Sequence, residues 1–291
     1  MPEPSNGQPS GNDSEPPLYA PESGFSLFFK LFIIPALIVA IALGIFLFGT
    51  LTLQHPKSAQ QYLEELKSDS TSRRWQAAYE LSRMLTPGEK IQFDEAFRAE
   101  LVKTFAGSKD DDPRVREYLA LVLGRLKEKS AIPALSEATH DPTKDVRLYS
   151  LWALGNIEDP VAGPAALAAL SDPDSDVKVM AVGAMGALRY EPAKADLEGL
   201  LENPDPSLRY DSAVALARLK DAKALPVLLE MLTLKPTGQA DKDEMVQSAK
   251  LSAIEAAQEL PDPRLHSQIV TLSQEDPDIK VKEAALGALK K

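Results

Sequence analysis

The sequence predicts an all-α fold, a right-handed α-solenoid of about seven helical hairpins preceded by one transmembrane helix. Three observations predict it. Leu31 to Leu53 is a run of 23 residues without a charge. Beyond it, a pattern of apolar, basic and small residues returns every 31 residues. Nowhere in that repeating part does the strict apolar–polar alternation of a strand appear.

The elements follow in chain order. Residues 1–24 hold six prolines, four acids and no lysine or arginine, with Ser, Asn and Gly between them. Such a segment buries too little apolar surface to offset its ordering entropy, and it reads as a disordered, acidic, Pro-rich tail. Residues 25–54 form the predicted span. The run from 31 to 53 rises to about 35 Å as a helix, enough for a hydrocarbon core of about 30 Å with some tilt. Pro35 stands near one end, where a lost backbone bond costs least. A cleaved signal peptide fits less well, because the run is long, its leader is acidic and no small-x-small site follows. Lys30 lies before the span and Lys57, Lys67, Arg73 and Arg74 after it. Counting basic residues places the repeat domain, residues 57–291, in the cytoplasm, whereas weighting the closest charge favours the reverse.

The repeat is carried by three markers in one register. The pattern V-R-x₆-L-G occurs as Val115-Arg116…Leu123-Gly124, Val146-Arg147…Leu154-Gly155, Val177-Lys178…Met185-Gly186 and Leu208-Arg209…Leu216-Ala217. Asp110, Asp141, Asp172 and Asn203 keep the same period, as do Pro133, Pro164 and Pro226. Looser copies surround Arg74 and Ala77 upstream, and Lys250, Ala253 and Val281 downstream. They are separated from the regular array by surplus residues near 86–95 and 234–244. Counting from the Val slot as offset 0, apolar or small residues recur at offsets 4, 8 and 11, as in Val146, Ser150, Leu154 and Ile157. At 100° per residue these fall within an arc of about 80°, the core stripe of a second helix. The Asp-Pro pair upstream supplies a predicted N-cap and a proline at the first helical position. Shorter first helices are predicted at Ile132–Thr139, Pro164–Ser171, Ala195–Glu202 and Leu225–Leu232.

Asp141-Pro142…Val146-Arg147…Ala153-Leu154-Gly155, and its copy from Asp172, resemble the short HEAT-like repeats named after phycobilin lyases. The resemblance covers roughly residues 57–291. It implies helical hairpins and a scaffolding habit, without implying lyase activity. The membrane anchor and the two interrupted units depart from that family.

Chemistry is sparse. With a net charge of −11 and no basic patch, the surface repels phosphate backbones, so no nucleic-acid partner is expected. There is no cysteine for a disulfide, a thiolate metal site or a nucleophile. His55, His140 and His266 fall in different units, so no metal site is expected, and His140 reads as a solvated turn residue. No nucleophile elbow, phosphate loop or dinucleotide fingerprint occurs, and neither an enzyme nor a cofactor is predicted. The ladder of Arg74, Arg116, Arg147, Lys178, Arg209, Lys250 and Lys282 has two readings. It either binds acidic ligands or, as the repetition with the fold favours, pairs with aspartates and carbonyls of neighbouring turns.

One feature breaks the polar pattern expected of an outward face. Offsets 2, 6 and 9 point away from the core stripe, yet offsets 2 and 6 hold Trp75, Tyr79, Leu121, Leu148, Trp152, Val179, Tyr210 and Val214. Offset 9 is small throughout: Ser82, Gly124, Gly155, Gly186 and Ala217. Second helices line the concave side of such solenoids, so these residues form either a partner-binding strip along a groove or packing between repeats; Tyr118, Tyr149 and Met180 beside them read as inter-repeat packing. The function expected is that of a membrane-anchored protein–protein interaction scaffold. The alternative is a bilin-lyase-like carrier holding a flat hydrophobic cofactor in the same groove. Self-association through the C-terminal repeat, Leu286–Lys291, is a further expectation.

Overall fold

A computed structural model describes residues 28–53, 57–85 and 93–290, with side chains from 49 to 53 left aside. The predicted tail, His55 and most of the surplus near 86–95 lie outside the described residues. The chain divides into two compact units, Met1–Lys57 and Ser58–Lys291.

In the first unit, α1 (Ile34–Leu53) follows a π-helical turn, Phe29–Ile33. Pro35 has no N–H to give the preceding turn, and the Ile34 N–H reaches back five residues to Phe29. The helix is long and apolar enough to cross a membrane, and none of its described side chains is buried.

Among its described residues the second unit holds helices joined by turns and no strand, in seven hairpins. Their first and second helices are α2 (Ala59–Glu65) and α3 (Thr71–Met84), α4 (Glu95–Ala106) and α5 (Pro113–Arg125), α6 (Ile132–Ala138) and α7 (Lys144–Ile157). Then come α8 (Gly163–Ala168) and α9 (Ser175–Ala187), α10 (Lys194–Gly199) and α11 (Pro206–Arg218), α12 (Leu225–Thr233) and α13 (Ala240–Glu259), α14 (Pro263–Glu275) and α15 (Ile279–Leu289). Each second helix packs against the next, from α3 through α15.

The core stripe is where the periodicity places it. Val146, Ser150, Leu154 and Ile157 are all buried, as are Val115, Leu119, Leu123, Val177, Ala181 and Met185. Burial of such a stripe, repeated hairpin after hairpin, makes one continuous apolar core, since no single hairpin covers its own face.

Two local features differ from the sequence reading. Asp141 and Asp172 are not N-caps; the helices they precede start at Lys144 and Ser175. Each instead accepts a backbone N–H two residues on, from Thr143 and Asp174, in an Asx turn. The cap falls two residues later, where Asp112, Asp174, Asp205 and Asp278 accept from the first turn of their helices. The second difference is the stop. Lys127, Glu158, Arg189 and Lys220, 31 residues apart, adopt left-handed backbone at φ 50°, 56°, 49° and 56°. After Lys127, Arg189 and Lys220 the next N–H bonds five residues back, as in Glu128 to Leu123, which closes the helix without the glycine this position favours.

A candidate interaction surface

The cationic ladder is structural at most of its rungs. Arg147 forks onto Asp172 of the next turn with bonds of 2.7 and 2.9 Å, and its third nitrogen donates to the Asp141 carbonyl at 3.0 Å. Arg74 does the same with Asp111 and the Ser68 carbonyl. Arg116 bonds Asp141, and Lys250 bonds Asp276 in a buried pair. Both ion pairs of Arg74 and Arg147 are well shielded, and hydrogen bonding to the aspartate raises each guanidinium further above its ordinary value. On Asp172, burial alone would raise the carboxyl, but the Arg147 bonds outweigh it and hold it low. The Arg74 and Arg147 pairs are bidentate, and each ties its repeat to the next. Arg209 turns to Glu230 and the Asn203 carbonyl instead. Among the described residues Lys178 has no such partner, because Asn203 stands where the other repeats place an aspartate.

The predicted strip residues lie across five successive second helices. Trp75, Leu121, Leu148, Trp152, Val179, Tyr210 and Val214 are half-buried, and Tyr79 is 37% exposed. At its N-terminal end the Arg114 guanidinium stacks 4.5 Å from the Trp75 ring. Tyr79 meets Tyr118 edge-on at 5.2 Å, and Arg83 covers Tyr79 at 5.6 Å. Tyr149, expected as packing between repeats, stands 36% exposed beside Tyr118. Burial raises the Tyr118 hydroxyl above its ordinary range. At the other end, the Tyr210 hydroxyl donates to Glu230 at 2.9 Å while Arg209 lies 4.9 Å over its ring.

Offset 9 does not belong to this open face. Ser82, Gly124, Gly155, Gly186 and Ala217 are all buried. A Cβ on Gly124 would lie 2.7 Å from the Ala153 Cα and 2.9 Å from the Trp152 ring. On Gly186 it would lie 2.8 Å from the Ala215 Cα. Small residues are required here because neighbouring second helices touch backbone to backbone. Trp152 therefore rests on the preceding helix through Gly124, with only part of its ring open.

The structure brings Val179 and Tyr210 to one cavity and leaves the other strip residues outside it. That cavity, ≈ 500 Å³, lies between α11 and α13. Sequence reading missed two carboxylates on the same face. Glu117, at offset 2 of α5, is half-buried, and burial with repulsion from Asp145 and Asp112 raises its carboxyl. Asp211, at offset 3 of α11, is pushed up to about 6 by burial, with Arg218 opposing and Asp205 reinforcing the shift. Among the described residues neither forms a hydrogen bond or ion pair. Their signal in the sequence was an acid on an otherwise apolar face, which the apolar count passed over.

Among the described residues no three histidine or carboxylate side chains gather as a metal site would need. His140 is exposed, with its ring nitrogen 3.2 Å from the Thr139 hydroxyl. On α15, Leu286 is 46% exposed and Ile279 71% exposed.

The family model for HEAT repeats matches residues 100–170 and 163–242. No curated protein sequence matches the chain. Among solved structures, the complex of CpcE and CpcF of phycocyanin lyase from Nostoc sp. PCC7120 is similar at 18% identity with a TM-score of 0.55, covering 81% of this chain and 96% of that one. The E. coli protein YibA is similar at 17% identity, with a TM-score of 0.47 over 81% of this chain and 93% of that one. A designed armadillo repeat protein in complex with the peptide (KR)4 reaches a TM-score of 0.42 at 15% identity, covering 80% and 99%. The stretch from 100 to 242 is thus built of HEAT repeats, set within an all-helical repeat array that shares their fold.

Proposed function

We propose that this protein is a membrane-anchored interaction scaffold that holds a segment of a partner protein along the strip from Trp75 to Val214. The observation that carries this reading is the strip itself. Eight apolar or aromatic side chains, none fully buried, line the face of the second helices that water should keep polar. Large side chains with few rotamers, held by Arg114, Tyr118 and Glu230, lose little freedom when a partner covers them. The apolar helix α1 supports the anchor. Tethering confines the search for a partner to the membrane surface and raises the effective concentration of both.

The test separates anchor from strip. The full chain should remain with membranes after alkaline carbonate washing, and a chain lacking residues 1–57 should not. In the membrane-bound chain, Tyr79→Ala and Tyr210→Ala together should lower the amount of bound partner about tenfold while the melting temperature shifts by a few degrees at most. A double variant that binds undiminished would remove the strip from the account. This reading puts the repeat domain on the cytoplasmic side, and a reporter fused after residue 291 tests that side directly.

A further inference from the structure

The surplus residues near 234–244 lengthen a helix. α13 has 20 residues, whereas the other second helices have between 11 and 14. In the regular repeats the second helix begins about two residues before its Val slot, which in this unit is Ala249. Residues 240–246 therefore overhang by about seven residues, roughly 10 Å of helix. The overhang carries Met245, 58% exposed, and Val246 above Tyr210. Its start is held by Asp243, which accepts the Thr237 and Gly238 N–H groups, so the wall is braced at its base.

Wall and floor border an open-sided cavity of ≈ 500 Å³, lined by Tyr210, Met231, Leu234, Met245 and Val246. Asp211 also lines it, half-buried and without a partner. The other charges nearby are spoken for or open to water. Asp205 caps Ser207, Arg209 and Glu230 bind each other and Tyr210, Arg218, which acts on Asp211 from a distance, bonds Glu255 at 3.4 Å, and Lys242 stands exposed at the rim. The remaining appetite of the cavity is for an apolar stem ending in a positive charge, a demand that fits an acidic chain of net charge −11.

We propose that this cavity takes one lysine or arginine side chain of a protein partner, its alkyl stem between Tyr210 and Met245 and its charge on Asp211. The assignment rests on the strip reading, and it identifies one anchor of the partner as basic.

The test uses the full chain in a nanodisc of zwitterionic lipid, with the methionine methyl groups labelled for NMR. The probe is n-butylguanidinium, an arginine side chain without its backbone, compared with its neutral isostere n-butylurea. A charge-assisted bond to a half-buried carboxylate predicts binding of the guanidinium at least about tenfold tighter than the urea. Saturable shifts should appear at Met231 and Met245. Asp211→Asn should remove that preference and leave urea binding unchanged. Equal affinities for the two probes, shifts that do not saturate, or a preference that survives Asp211→Asn would overturn the proposal. If Asp211→Asn fails to fold, the comparison of the two probes on the unaltered chain decides alone. Partner contact at Tyr79 and Leu121, far along the strip, is read separately, so this cavity can fail while the strip stands.

Discussion

Gly183 and Gly186 lie on one helix and make opposite demands on an added methyl group. At Gly183 a Cβ would meet nothing within 4 Å. Gly183→Ala should therefore stabilise the array by about 1 kcal/mol, the difference in helix propensity between the two residues. At Gly186 the same Cβ would lie 2.8 Å from the Ala215 Cα and 2.9 Å from its Cβ. Ordinary carbon–carbon contact is about 3.5–4.0 Å, so the shortfall is roughly an ångström. Backbone stands on both sides, and no side chain can rotate away. Overpacking of this kind costs about 1–3 kcal/mol, which matches or exceeds the propensity gain. Propensity cancels between the two variants, so Gly186→Ala should be less stable than Gly183→Ala by about 1–3 kcal/mol. Gly155→Ala, with its Cβ at 3.2 Å from Ala184, should fall between them, and Gly124→Ala should be at least as costly as Gly186→Ala. Urea denaturation followed by circular dichroism measures all four. If Gly186→Ala proved as stabilising as Gly183→Ala, the close stacking of α9 on α11 would be wrong, and with it the reason for small residues at offset 9.

Three further outcomes follow from single sites. Asn203→Asp should give Lys178 the partner that Arg147 finds in Asp172. The expected gain is about 0.5–1 kcal/mol, shrinking as salt rises, and an equal gain in a Lys178→Met background would exclude that pairing. Among the described residues the Ser150 and Ser212 hydroxyls are buried without a hydrogen-bond partner. Ser150→Ala and Ser212→Ala should each raise stability by about 1 kcal/mol in urea, and a loss at both sites would contradict their burial in the core stripe. Asp211 has its carboxyl raised from 3.8 to about 6 in the folded chain. The folded state then binds its proton more tightly than the unfolded state, so stability falls as pH rises through about 4 to 6 and stays lower above that. At pH 7, Asp211→Asn should be more stable than the unaltered chain by up to about 3 kcal/mol, with the advantage gone near pH 4. Parallel stability profiles for the two chains across that window would refute the assignment.

The period of 31 residues carried most of the architecture, because each repeat must bury the same stripe against its neighbours. Offsets 0, 4, 8 and 11 followed from helical geometry alone, and Val146, Ser150, Leu154 and Ile157 are buried as that geometry requires. At Asp141 and Asp172 the cap was assigned two residues too early, whereas the Asp112-Pro113 and Asp205-Pro206 pairs do supply a cap and a proline in the first turn. Telling an Asx turn from an N-cap needs the backbone, since Asp141 serves the turn and also receives Arg116 from the preceding repeat. The helix stops at Lys127, Glu158, Arg189 and Lys220 gave no glycine to mark them. Offset 9 was legible as small yet was placed on the open face. An ideal single helix turns it outward, and only the stacking of one second helix on the next covers it. The surplus near 234–244 showed only as a break in the period, although from Ala240 onward it extends a helix. The isolation of Asp211 depends on distances to every neighbouring cation, which no single sequence displays.

Photocrosslinking in the membrane tests the central claim most directly. A photoreactive residue would be placed in turn at the strip positions 79, 121 and 210, and at the exposed first-helix positions 137, 164 and 195. The strip reading predicts one polypeptide crosslinked from all three strip positions, in yields at least severalfold above those from the first helices. Equal yields from both faces, or a partner reached only from 137, 164 and 195, would contradict it.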